Sequence, residues 1–138
     1  MPYAVNWFIE NEVIYIRYIG ALTADEYREC LLASKDMIES SPRSLVHVIN
    51  DVGDVTEPLS PKESLKVLRE VGTPARIGWS ILIREKSVLI KMGVAFGTSF
   101  FKMRNRAYDT MEEAEAYLKD VDSTIHWDLA DRSVLVAE

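Results

Sequence analysis

Three times in this chain a hydroxyl residue stands three positions ahead of a glutamate at the head of an amphipathic stretch. The three are Thr23-Ala24-Asp25-Glu26, Ser60-Pro61-Lys62-Glu63 and Thr110-Met111-Glu112-Glu113. Each is a capping box, in which the hydroxyl accepts from the glutamate N–H while the carboxylate reaches back to the cap. Pro61 strengthens the second, because the first helical residue has no use for its N–H. Between these starts lie short runs rich in β-branched and aromatic residues. Helix starts alternating with such runs restrict the chain to an α/β fold.

The strands follow from periodicity. Tyr3 to Ile9 alternates, with Tyr3, Val5, Trp7 and Ile9 on one face; Val13 to Ile19 alternates again, and Asn11-Glu12 lies between them. This predicts an antiparallel hairpin ended by Gly20. A helix then runs to about Glu39, with Tyr27, Leu31, Ser34 and Ile38 on one stripe and Ser41-Pro42 as its stop. Leu45 to Ile49 is apolar at nearly every position, as in a strand buried on both faces. Asn50 to Leu59 predicts a loop. The second helix presents Leu65, Leu68 and Val71 and ends at Gly72-Thr73-Pro74, and Ile77 to Ile83 is the next strand. A long apolar stretch follows, Lys86 to Met103, then an edge strand Arg106 to Tyr108. The last helix turns Met111, Ala114, Tyr117 and Leu118 inward. The expected architecture is a single-layer mixed, largely parallel sheet of about five strands, with an N-terminal hairpin and helices packed on it. Residues 1–120 form this domain. The tail 121–138, with Trp127 and Val134-Leu135-Val136, docks on the domain or on a partner.

Chemistry is harder to find. The single cysteine, Cys30, sits inside the first helix beside the apolar stripe, with Glu26 and Glu29 nearby. It suits a small core residue, not a nucleophile. His47 lies mid-strand and His126 in the tail, without metal-type pairing. Asp51, Asp54 and Glu57 match no calcium loop and read as a solvated loop. Glycine-rich phosphate loops are missing. No enzyme, metal or cofactor is expected. The chain lacks both a secretory signal pattern and a run of about 18 apolar residues, so a cytoplasmic protein is expected. The net charge of −6 argues against nucleic acid. Yet Arg84, Lys86, Lys91, Lys102, Arg104 and Arg106 are opposed only by Glu85. That segment carries +5, leaving −11 for the rest.

The order of elements and several local phrases resemble the SpoIIAA-like family, related to STAS and SEC14-type domains. The matching phrases are the hairpin Val5-Asn6-Trp7 through Val13-Ile14-Tyr15-Ile16-Arg17, then Val48-Ile49-Asn50-Asp51-Val52-Gly53-Asp54. Tyr108-Asp109-Thr110 and Glu113-Ala114, at the start of the last helix, complete them. The resemblance covers residues 3 to 120. It implies a phosphorylation-switched partner of kinases and anti-sigma factors, or a hydrophobic-ligand or membrane-facing site between the central helices.

Two sets of residues meet those implications. In Ser87 to Phe101, Leu89, Met92, Phe96, Phe100 and Met103 form one helical stripe and Ile90, Val94, Gly97 and Phe101 another, leaving a narrow polar strip. Gly93 and Gly97 permit close approach of a helix or ligand chain. Such a helix suits a pocket wall, a peripheral position at an anionic membrane surface, a buried core helix or a homodimer interface. As a binding site it has Leu65 and Leu68 on one wall and Leu89, Met92, Phe96 and Phe100 on the other. Gly93 and Gly97 give backbone access, and Lys91 or Lys102 meets a headgroup. The ligand is then a lipid or other apolar small molecule. For the phosphorylation switch, the resemblance points to the loop before the second helix, where Ser60 and Thr56 are the candidates. An Asp-Ser-Ser-Gly phrase is absent there: the chain reads Glu57-Pro58-Leu59-Ser60-Pro61.

Overall fold

The computed structural model describes residues 3–86, 90–92 and 103–135. The hairpin forms as β1 (Tyr3–Ile9) and β2 (Val13–Ala21), antiparallel, with Val5 opposite Ile16 and Trp7 opposite Ile14. Asn11 takes φ 67° in the turn, a left-handed conformation that asparagine accepts more readily than most residues. The chain continues through α1 (Ala24–Ser40), β3 (Val46–Glu57), α2 (Pro61–Val71), β4 (Ile77–Ile83), β5 (Arg104–Tyr108) and α3 (Met111–Val121). All three hydroxyl caps are made, by Thr23, Ser60 and Thr110. The sheet order is β1-β2-β3-β4-β5, parallel from β2 onward. This is the mixed, largely parallel α/β sheet expected from the sequence.

Two boundaries differ from expectation. β5 begins at Arg104. More important, β3 runs eight residues beyond Ile49, through the segment expected as a loop. Asn50 pairs with Ile16, Asp51 with Arg17, Asp54 with Ile19 and Glu57 with Ala21, and β4 reaches Asp51 from the other side. The ladder satisfies the backbone, and the Asp51 and Asp54 side chains find cationic partners. Together these override a composition poor in β-formers. Thr56 is therefore an exposed strand residue.

The pleat divides the core in two. One sheet face carries Phe8, Val13, Tyr15, Ile49, Ile81 and Ile83 against Ala114 and Leu118 of α3 and Ile125. The other carries Ile14, Ile16, Tyr18, Val48, Val52 and Leu82 against Cys30 and Ile38 of α1. α2 lies beside α1, tied by Arg28 to Glu70 at 2.8 Å and by Lys35 Nζ donating to the Val71 carbonyl at 3.2 Å. The residues after α3 pack on the α3 face. Trp127 meets Phe8 edge-on at 6.2 Å, and the Asp131 N–H donates to the Phe8 carbonyl at 2.7 Å.

A polar staple closes the N-terminal end of the parallel strands. His47 is buried; its Nδ1 accepts from the Trp79 N–H at 2.9 Å, which leaves Nε2 to donate to Asp122 at 2.8 Å. Asp122 also accepts from the Thr124 N–H at 2.9 Å, and Arg43 approaches to 3.4 Å. Buried Glu12 accepts from the N–H and Nδ1 of His126, each at 2.7 Å. Gly78 lies so close that a Cβ there would fall 2.4 Å from His47 Nδ1. Both ring nitrogens of His47 are thus engaged within the fold.

Burial, aided by Arg43 and Arg104, lowers the His47 pKa against the pull of Asp122. Asp122 goes the other way from its burial. Its hydrogen bonds to Thr124 and His47 outweigh desolvation and hold its carboxyl at about 2. For His47 the unfolded chain is the better proton acceptor, so stability is full above its ordinary 6.5 and falls as pH drops below it. For Asp122 the contribution is full above 3.8 and is lost as pH falls toward 2. Both losses occur on acidification. The urea midpoint is therefore expected to fall from pH 7 to 5 and again from 4 to 3. His47→Gln should flatten the first step and Asp122→Asn the second. A midpoint independent of pH would contradict this account of the staple.

Candidate functional site

The described residues enclose a cavity of about 160 Å³ between the sheet and the α1–α2 layer. Its floor comes from β2, β3, β4 and β5, and its roof from Tyr27, Leu31 and Ser34 of α1 and Ser64 and Leu68 of α2. Ile90 and Met103 stand at its side. A second cavity of about 40 Å³ also touches Leu31, Ser34, Leu68, Ile77 and Met103. The roof follows from the helix patterns. The α1 stripe through Tyr27, Leu31 and Ser34 meets the sheet, whereas Val67 and Val71 are the fully packed residues of α2, leaving Leu68 half-buried.

Of the expected ligand residues, Leu68 lines the cavity, while Leu65 is half-buried on α2 away from the lining. Lys91 is exposed and Met92 is 42% exposed; neither lines the cavity. Leu89, Gly93, Phe96, Gly97, Phe100 and Lys102 lie outside the described residues. Among the described residues the cavity lining thus comes mainly from α1, α2 and the sheet, with a larger share from β-strands than the sequence suggested. The polar members of its floor, Asn50, Ser80 and Asn105, were not anticipated. Ser80 stands in the otherwise apolar run Ile77–Ile83, and that interruption was the available signal.

Beside the cavity roof, Ser60 caps α2. Its Oγ accepts from the Glu63 N–H at 3.2 Å and donates to Glu63 Oε1 at 3.2 Å. The hydroxyl is only half-buried. Cys30 is buried, and desolvation pushes its thiol up to about 12. It is protonated at neutral pH, consistent with a packing role. Burial likewise raises the phenols of Tyr18 and Tyr27, keeping them neutral.

Asp51 and Asp54 correct the reading of a solvated acidic loop. Asp51 is 1% exposed. It accepts from the Tyr15 hydroxyl, from Arg84 Nε at 2.8 Å and from the Gly53 N–H at 3.1 Å. Asp54 accepts from Arg84 Nη2 at 3.0 Å and Arg17 Nη2 at 2.8 Å. The hydrogen bond from Arg17, with that from Arg84, holds the Asp54 pKa down against desolvation. Arg84 takes φ 57°, and Gly53 leaves room for it, since a Cβ there would fall 2.5 Å from Arg84 Cζ. Chain spacing places Arg84 some thirty residues from its partners, so sequence periodicity carries no sign of the pair. Among the described residues no group of three His, Cys, Asp or Glu side chains is placed to hold a metal. No helix among them is long and apolar enough to cross a membrane.

No protein-family model matches the sequence, and no curated protein matches it. Among solved structures, that of the anti-sigma factor antagonist SpoIIAA in its unphosphorylated form superposes with a TM-score of 0.57. The match covers 87% of this chain and 98% of that one, at 17% identity. The protein has the SpoIIAA fold. The resemblance legible in the sequence thus holds at the level of architecture.

Arg84→Met tests the buried pair. It leaves the Asp51 carboxylate without its cation, and loss of one partner of a buried pair costs about 3 kcal/mol. Adding Asp51→Asn should restore part of that loss, measured by denaturant unfolding. Equal stability of Arg84→Met and the parent chain would mean the pair contributes nothing.

Proposed function

We propose that the protein is a non-catalytic interaction module of the anti-sigma-factor-antagonist type, binding a protein partner and switched by phosphorylation at Ser60. The observation that carries this is the match to SpoIIAA over nearly the whole of both chains. Ser60 supports the switch by its place, half-buried at the head of α2. A phosphate there meets the N–H groups of Lys62 and Glu63 in the first turn of α2, where Pro61 offers none and that of Ser64 is taken by the Ser60 carbonyl, and the positive end of the helix dipole. The acidic residues before it repel less than their sequence suggests, because Asp51 and Asp54 are already paired with Arg84 and Arg17. Thr56, on β3, lacks that helix setting. The test is to purify the chain from its own cells, map its phosphopeptides, and compare capture of a kinase-type partner by Ser60→Ala and Ser60→Asp. Phosphate on Ser60, with capture kept by alanine and lost by aspartate, is the expected result. Unmodified Ser60 and equal capture by both variants would sink the reading.

A second reading rests on the cavity: the module also takes an apolar or amphiphilic small molecule between α1, α2 and the sheet. Its support is the largely apolar lining around about 160 Å³ of space and the use of such pockets for small ligands. Native mass spectrometry of the freshly purified chain should find a bound small molecule that Leu68→Trp, which fills the cavity, excludes. Absence of any adduct in the parent chain would count against it.

A further inference from the structure

Resting on the second reading, we infer that the cavity selects a neutral molecule carrying one hydroxyl or carboxamide, read by Asn50 and Ser80, and rejects carboxylates. The lining explains the exclusion. Among the described residues it contains no Lys, Arg, His, Asp or Glu. An anion entering it would be stripped of water with no counter-charge, which is far costlier than burying a neutral polar group that finds hydrogen bonds.

The floor explains the selection. Ser80 lies opposite Val48 on β3 and Asn105 on β5, while Asn50 sits one pleat along β3 from Val48. The three side chains make a polar row across an otherwise apolar sheet face. Asn50 Nδ2 donates to Ser80 Oγ at 3.0 Å. Asn50 Oδ1, the second Asn50 Nδ2 hydrogen and the Ser80 O–H hydrogen have no partner among the described residues. One acceptor, Asn50 Oδ1, and two donors thus stand side by side on the floor, and the acceptor is the group that a carboxylate leaves unpaired. A hydroxyl or a carboxamide offers the complementary donor and acceptor; a hydrocarbon offers neither, and a carboxylate offers only acceptors. A site built to hydrogen-bond a ligand discriminates strongly against analogues that leave its polar groups unpaired. The size limit is that of a small ring, since an apolar cavity of about 150 Å³ accommodates benzene.

The test uses the full chain, labelled with nitrogen-15, titrated at pH 7 with benzamide, benzyl alcohol, benzoate and toluene. The probes share one ring and differ in charge and hydrogen bonding. Benzamide and benzyl alcohol are expected to bind at least about tenfold more tightly than benzoate, shifting the Asn50 side-chain amide. Ser80→Ala and Asn50→Leu should each erase most of that ratio while leaving toluene binding unchanged. Dispersed spectra of both variants check that they fold, and Ser80→Ala, the smaller change, suffices if Asn50→Leu does not. Benzoate binding as tightly as benzamide, or a ratio that survives Ser80→Ala, overturns the selection while leaving the cavity reading standing. Failure of all four probes to shift Leu31, Leu68 or Leu82 overturns the cavity reading and the inference with it.

Discussion

The pairing of Asp51 with Arg84 is the constraint on which this arrangement turns. β3 is the middle strand of the sheet, flanked by β2 and β4, contributing to both cores and buried on either face at Val46–Ile49. Its second half carries Asn50, Asp51 and Asp54, which would normally leave a sheet for water. A lone carboxylate buried as deeply as Asp51 would be strongly destabilising. Arg84 Nε at 2.8 Å, the Tyr15 hydroxyl and the Gly53 N–H remove that penalty. The strand can then continue to Glu57 and carry Val52 and Val55 to the cavity.

The two ends of the parallel strands are secured differently. At the carboxyl end, two arginines and two aspartates compensate one another. At the amino end, His47, Asp122, Arg43, Glu12 and His126 link the hairpin turn, the start of β3, the end of α3 and the residues beyond it. Reactive residue types in both places are consumed by structure. His47 has both nitrogens occupied within the fold, and Cys30 is held as a thiol. Among the described residues, the half-buried Ser60 and the Asn50–Ser80 pair are polar groups that stand outside both networks.

The local code of the chain was legible where its causes are local. Hydroxyl caps need only four consecutive residues, and all three form. The reciprocal carboxylate bond expected of a full capping box is made only by Glu26; Glu63 and Glu113 accept from the hydroxyls of Ser60 and Thr110 instead. The hairpin needs only alternation and a turn, and its strands fall where the alternation put them. Asn50 to Glu57 was illegible for the opposite reason, since its stability comes from residues some thirty positions away on β2 and β4. Leu68 was found from the α2 stripe, but Asn50 and Ser80 join the cavity only through the register of β3 against β4.

By itself, then, the sequence determined an α/β domain with a leading hairpin, three capped helices and the inward faces of α1 and α3, because propensity, periodicity and capping act within a few residues. On α2 it missed the buried Val67. The tertiary structure alone decided that the acidic segment is a strand, that its charges are neutralised, and that a polar pair lies on the floor of an apolar cavity. Those outcomes rest on pairing across the sheet and on desolvation, and neither quantity exists until the strands have met.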